Sequence, residues 1–322
     1  MNKYFILIVK ALRKLYSIFF KKNIPTLLPS DKNPDSVSEI IYNKLIATEP
    51  CMIARFGANE LRCLCNYLSV VNKSNKNVMR YIRGEQFPWW WEESNLEQMC
   101  NNAGFFPKKT SKLAEYSQLM LNDIPSIDIL GAWLLNENSI QDKLENSIKV
   151  QRIIMEPFWT DSPWTRALKG KRVLVVHPFS QTIESQYKKR TLIFKNDFLP
   201  KFELITLKAV QSITGIDTEF SDWFEALNYM KNQIDQIDYD ICLIGAGAYG
   251  FNLAAHVKRQ GKKSVHLGGS LQLLFGIKGA RWENPDYNSQ YNYINLMNEY
   301  WVKPLPEETP TKSKEVEGAC YW

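Results

Sequence analysis

Short apolar runs alternate with longer stretches of helical periodicity along most of this chain. Ile241 to Ile244 is an unbroken apolar tetrad, the pattern of a strand buried on both faces. Glycines follow at once, at Gly245, Gly247 and Gly250. From Phe251, Leu253, Ala254 and Val257 recur at helical spacing, Gly261 stops the helix, and 264–267 reads as a second strand. The same plan occurs earlier: Met52 to Ala54 predicts a strand, Gly57 a turn, and Leu61, Leu64, Cys65 and Leu68 a buried helix face. Further strands are predicted at 127–133, 151–155, 170–179 and 202–207. Helices are predicted near 36–47, 181–195 and 220–236, with mainly helix over 75–123. Strands alternating with helices predict an α/β fold with a largely parallel sheet and helices on both faces.

The first thirty residues follow another pattern. Phe5, Ile8, Val9, Leu12, Leu15, Tyr16, Phe19 and Phe20 fall on one helical face, and Lys10, Arg13, Lys14, Ser17 and Lys21 on the other. Cations interrupt the apolar run, so it is too short for a signal peptide or a bilayer span. Two readings remain: a helix lying in the interface of an anionic membrane, or a helix docked on the protein's own body. Residues 24–35 form a Pro-punctuated linker. The organisation expected is therefore a basic membrane-surface helix and linker over 1–30 and an α/β body over 31–302, with halves of about 31–165 and 166–302. A loose tail follows over 303–322.

Charge sharpens this division. The net charge is +6, and Lys3, Lys10, Arg13, Lys14, Lys21 and Lys22, with no acid among residues 1–30, account for all of it. The body balances to zero, which argues against a nucleic-acid surface. Six cysteines without paired CxxC spacing point to buried thiols in a reducing, cytoplasmic compartment.

In open parallel sheets, ligands sit at the C-terminal ends of the strands, where backbone N–H groups and helix N-termini attract anions. Polar groups gather at those ends here. Arg55, Gly57 and Glu60 follow the first strand; His177 and Ser180 follow 170–176. Gly245, Gly247, Tyr249 and Gly250 follow the apolar tetrad, and His266, Gly268 and Gly269 the strand after it. Lys278 and Arg281 lie just beyond. The G-x-G-x-x-G has two readings, tight helix–strand packing or a phosphate cradle. A nicotinamide site further asks for a ribose-binding carboxylate about 20 residues on, and the second strand ends in His266 instead. Glu60 likewise fits either a helix start capped by Gly57 or a reacting carboxylate.

The stretch 53–61, Ile-Ala-Arg-Phe-Gly-Ala-Asn-Glu-Leu, resembles the bacterial glycosyltransferases of the GT-D group, and residues 50–285 resemble their plan. Those enzymes have a strand ending in Arg-Phe-Gly, an Asp-x-Glu motif at a helix start, and a closing strand–glycine–helix–strand unit. Arg55, Phe56, Gly57 and Glu60 match the motif, while Ala58 stands at the Asp position. The second half resembles proteins of bacterial surface-polysaccharide loci. The resemblance implies a Rossmann-like fold and transfer of a sugar from a nucleotide-sugar donor to a glycan or lipid-linked acceptor, at the inner face of the membrane. It also implies a divalent Mn or Mg ion, for which Glu60 is the motif's one remaining carboxylate. A lone carboxylate holds such an ion poorly without diphosphate oxygens and waters. Glu60 and His177 are the expected catalytic residues, with His177 as the base; the other strand-end residues named above are expected to hold the donor. An NAD(P)-dependent oxidoreductase and a non-catalytic membrane-associated sugar-phosphate-binding protein are the alternatives.

Overall fold

A computed structural model of the chain describes residues 2–20, 25–72, 76–213, 218–315 and 320–322. The strands are β1 (Cys51–Ala54), β2 (Ile129–Ala132), β3 (Ile148–Gln151), β4 (Arg172–His177), β5 (Glu203–Lys208), β6 (Ile241–Ile244) and β7 (Lys263–His266). They form one seven-stranded sheet in the order β3-β2-β1-β7-β6-β4-β5. Every pairing is parallel, and β1 joins β7 through Cys51 opposite Lys263 and Ile53 opposite Val265. The two expected halves thus share a single sheet across the β1–β7 seam.

Helices cover both faces, as the Rossmann-like α/β reading requires. In chain order they are α1 (Lys3–Phe19), α2 (Pro34–Ile46), α3 (Ala58–Val71), α4 (Val78–Arg83), α5 (Glu93–Asn101) and α6 (Thr110–Asp123). Then come α7 (Ser180–Tyr187), α8 (Arg190–Ile193), α9 (Trp223–Asp235), α10 (Gly250–Arg259) and α11 (Ala280–Glu283). Strand residues alternate between two cores, as a period of two dictates. Met52, Ala54, Leu174, Val176, Cys242 and Ile244 face α3, α6, α9 and α10. Cys51, Ile53, Val173, Val175, Leu243 and Val265 face α2, α7 and α8. Helix starts are set locally: Asn33 accepts the Asp35 and Ser36 N–H groups (3.0 Å each) with Pro34 as first residue of α2.

One strand moved. The sequence pattern places it at 151–155, whereas β3 is Ile148–Gln151 and Arg152–Met155 forms a 3-10 turn. The cause is its edge position. Only Val150 of β3 is buried, so its pattern is polar-rich, while the apolar run Ile153–Met155 fills the core beside it.

The N-terminal helix is docked on the protein's own body. Val9, Ile6 and Tyr16 dock on Tyr81, Ile82, Trp89 and Trp90, with Arg13 over the Tyr81 ring at 4.5 Å. Val9 and Tyr16 thus turn inward from the expected apolar face, and Arg13 joins them from the polar one. Ile8, Leu15 and Phe19 face outward and are 59%, 53% and 72% exposed. Lys21 and Lys22 lie outside the described residues. Among the described residues no helix is long and apolar enough to cross a membrane.

Residues 303–315 and 320–322 depart from the expected loose tail over 303–322. The buried Glu308 carboxylate accepts the Gln181 N–H (2.8 Å), the Thr182 N–H (3.1 Å) and the Thr182 hydroxyl, capping α7. Cys320 and Trp322 are buried as well. Composition alone conceals this, because one buried carboxylate and an apolar Cys-Tyr-Trp do the anchoring within a polar stretch.

Candidate functional site

A cavity of about 430 Å³ lies at the C-terminal ends of the strands. Every strand sends residues to it. Arg55 and Gly57 follow β1, Trp133 follows β2 and Arg152 follows β3. His177 ends β4, Ser212 follows β5, Gly245 and Gly247 follow β6, and Gly269 follows β7. Arg281, on α11, and Tyr321 close the far side. Glu60 is the one carboxylate lining the cavity among the described residues.

Three guanidiniums converge here. Arg55 leaves β1 and donates to the Phe56 carbonyl oxygen (3.1 Å). Burial lowers its pKa, and the like charges of Arg152 and Arg281 add to that against Tyr321 and Glu60. Arg152 pairs with the buried Glu156 (3.1 Å) and lies over the Trp133 ring at 5.3 Å. Burial opposes its charge, but Glu156, with Tyr293 and Tyr287, outweighs burial and holds it protonated. Trp133 is held in turn by its indole N–H, which donates to the Phe56 carbonyl oxygen (3.0 Å). Such crowding of cations is relieved by an anion between them.

The glycines explain how these groups fit. A Cβ on Gly268, whose φ is +64°, would stand 1.7 Å from an Arg55 nitrogen. On Gly245 it would meet His177 at 2.6 Å, on Gly250 the His266 ring at 2.3 Å, and on Gly269 the Tyr321 ring at 2.1 Å. Gly245, Gly250, Gly268 and Gly269 therefore make room for the protein's own side chains, which is the packing reading of the motif. Gly247 differs. Its φ is +51°, a Cβ on it would meet only the Ala103 carbonyl oxygen, at 3.6 Å, and it lines the cavity. Ala246 and Gly247 donate to no main-chain carbonyl among the described residues. The phosphate-cradle reading survives at this one turn.

His177 departs from the expected base. The Phe179 N–H donates to its Nδ1 (3.0 Å), so the neutral ring carries its proton on Nε2. Burial lowers its pKa to about 3. It offers the cavity a donor, where a general base needs a lone pair. His266 does not line the cavity: its Nδ1 donates to the Ile244 carbonyl oxygen (3.2 Å), and its pKa is also lowered to about 3, first by burial and then by Arg55. Folded, both rings stay neutral to about pH 3, whereas unfolded they take protons below about 6.5. Their contribution to stability is intact above about pH 6.5 and is lost as pH falls toward 3, by up to roughly 1.4 kcal/mol per pH unit for each ring. Denaturation curves between pH 7 and pH 4 should show that fall. In His177→Gln the slope should shrink by about one proton, and an unchanged slope would contradict a buried neutral ring.

Other expected site residues lie elsewhere. Ser180 begins α7, whose N-terminus Glu308 already fills. Tyr249 is buried behind the cavity, stacked on Trp223 at 4.9 Å and hydrogen-bonded to the Ser212 hydroxyl at 2.8 Å. Lys278 borders a separate depression with Glu283 and Met297. Glu60 does line the cavity, and it is also the third residue of α3, with its carboxylate folded back over Gly57, where a Cβ would stand 1.9 Å from it. Ala58 offers no carboxylate beside Glu60, and among the described residues no group of three or more His, Cys, Asp or Glu side chains is placed to hold a divalent ion.

The chain matches no family model, no curated protein and no solved structure. Arg152, Trp133 and Tyr321 are the residues that sequence reading missed.

Proposed function

We propose that the protein is a glycosyltransferase that moves a sugar from a nucleotide-sugar donor to a glycan or lipid-linked acceptor in surface-polysaccharide synthesis. The observation that carries this reading is the convergence of Arg55, Arg152 and Arg281 on a cavity with one lining carboxylate side chain among the described residues. Such a site suits a ligand with several negative charges and favours the nucleoside diphosphate as leaving group. An acceptor hydroxyl oxygen attacks the anomeric carbon, the bond from that carbon to the diphosphate oxygen breaks, and the hydroxyl proton passes to Glu60. The three guanidiniums, the His177 Nε2–H and the turn at Gly247 stabilise charge growing on the diphosphate. At the end of β7, where a nicotinamide site asks for a ribose-binding carboxylate, His266 stands instead.

Glu60→Gln tests the catalytic half. Loss of a general base is expected to lower turnover by roughly 10²–10⁴, while stability changes by a few tenths of a kcal/mol because Gln also serves at that helix position. Turnover with a panel of nucleotide sugars and a thermal melt on the one variant read both quantities. Unchanged turnover would make Glu60 a helix cap only, and wild-type protein that binds donors without turnover would favour the non-catalytic alternative.

The membrane half rests on α1. Its outward face carries Tyr4, Ile8, Leu15 and Phe19 with Lys3, Lys10 and Lys14 nearby on the helix surface, which suits shallow insertion into an anionic inner leaflet. Ile8→Glu with Leu15→Glu is expected to release the protein from anionic vesicles, because both apolar anchors are replaced by charges that the leaflet repels. The melting temperature should move little, since both side chains are more than half exposed. Cosedimentation undiminished in that variant would remove the membrane from the reading.

A further inference from the structure

Arg281 sits on α11, a four-residue helix with no side-chain cap. The Trp282 and Tyr287 rings lie 5.8 Å and 6.0 Å from its guanidinium carbon, and closer contacts come from the far end of the chain. The Tyr321 ring lies 4.9 Å from its guanidinium carbon, and its Nη2 donates to Cys320 Sγ at 3.2 Å. The Tyr321 ring also lies against Gly269, just past β7, where there is no room for a Cβ.

Segment 320–322 is pinned in place by hydrogen bonds along its backbone. The Arg281 N–H donates to the Cys320 carbonyl oxygen and the Ala280 N–H to that of Trp322, each at 3.2 Å. The fully buried Gln272 amide donates to the Tyr321 carbonyl oxygen (3.0 Å) and also to those of Ile277 and Lys278, which fixes its orientation. One aromatic ring thus joins the glycine turn after β7 to Arg281.

We infer that segment 320–322 is part of the ligand site and that Tyr321 is a positioning residue, which presents Arg281 to the diphosphate of the ligand. The inference rests on the anionic-ligand reading given above and adds the residue that preorganises it. A long, flexible cation stacked on a fixed ring loses less freedom when it meets its ligand, and the gain appears as affinity.

The experiment is calorimetric titration of the full chain with inorganic pyrophosphate and with UDP. Tyr321→Ala is expected to weaken both by about tenfold. Tyr321→Phe keeps the ring and should stay within roughly threefold of wild type. In an Arg281→Gln background the added Tyr321→Ala should cost less than about twofold, because its effect passes through Arg281. Tyr321→Leu fills the space on Gly269 without a π face and serves if the alanine variant melts early. Wild-type affinity in the Ala and Leu variants, or the full loss repeated in the Arg281→Gln background, would overturn the inference alone. Wild-type protein that binds neither pyrophosphate nor UDP would overturn the anionic-ligand reading and this inference with it.

Discussion

Arg152→Met is expected to lower stability by about 3–5 kcal/mol and to remove most of the affinity for a diphosphate; adding Glu156→Gln should restore the first and not the second. Glu156 is 2% exposed, receives the Tyr293 hydroxyl at 2.5 Å and has Arg152 as its ion-pair partner at 3.1 Å. Burial pushes its pKa up, and Arg152 is the largest influence holding it down. Without Arg152 the buried carboxylate keeps its hydrogen bonds from Tyr293 and Ser270 and loses its ion-pair partner. Gln at 156 removes that charge and keeps a partner for Tyr293. The cavity still lacks one guanidinium in the double variant, and a charge-assisted contact of this kind is worth roughly 1.5–3 kcal/mol, a factor of about 10–100 in affinity. Denaturant melts and pyrophosphate titrations on the single and double variants separate the two effects. Recovery of affinity along with stability would show that Arg152 serves the fold alone.

Gly268→Ala should have the second large effect. Its φ of +64° already disfavours a side chain, and its Cβ would occupy the place of the Arg55 guanidinium. Arg55 must then swing away or the loop after β7 must open. Gly261 provides the comparison, because its φ is +75° with nothing within 4 Å of a Cβ. Gly261→Ala should cost only the backbone strain, about 1–2 kcal/mol, with pyrophosphate affinity unchanged. Gly268→Ala should show that strain and lose affinity by an order of magnitude or more. Equal affinity in the two variants would mean that Arg55 does not touch the ligand.

The strand–helix alternation was legible because buried strands and amphipathic helices write different periods into the chain, and β1, β2, β4, β5, β6 and β7 stand within a few residues of their expected places. The edge strand was not, since one buried side chain in four leaves no apolar run to read. That slip hid a site residue. A strand expected over 151–155 puts Arg152 inside the strand, whereas β3 ending at Gln151 puts it at the ligand edge. Arg55, Glu60, Gly247 and Arg281 were legible from their place after strands and turns. Trp133 and Tyr321 reach the cavity by tertiary packing, for which local spacing has no signature. Histidine chemistry was the least legible, because the Phe179 N–H sets the tautomer of His177 and burial sets its charge.

Titration of UDP and GDP into the full chain, in EDTA and then in Mn²⁺, tests most directly the claim that guanidiniums hold the diphosphate. Binding is expected to persist in EDTA within about tenfold of its strength in Mn²⁺, to weaken as salt is raised, and to fall by a factor of about 10–100 in Arg55→Gln. Binding that appears only with Mn²⁺, or that Arg55→Gln leaves unchanged, would contradict it.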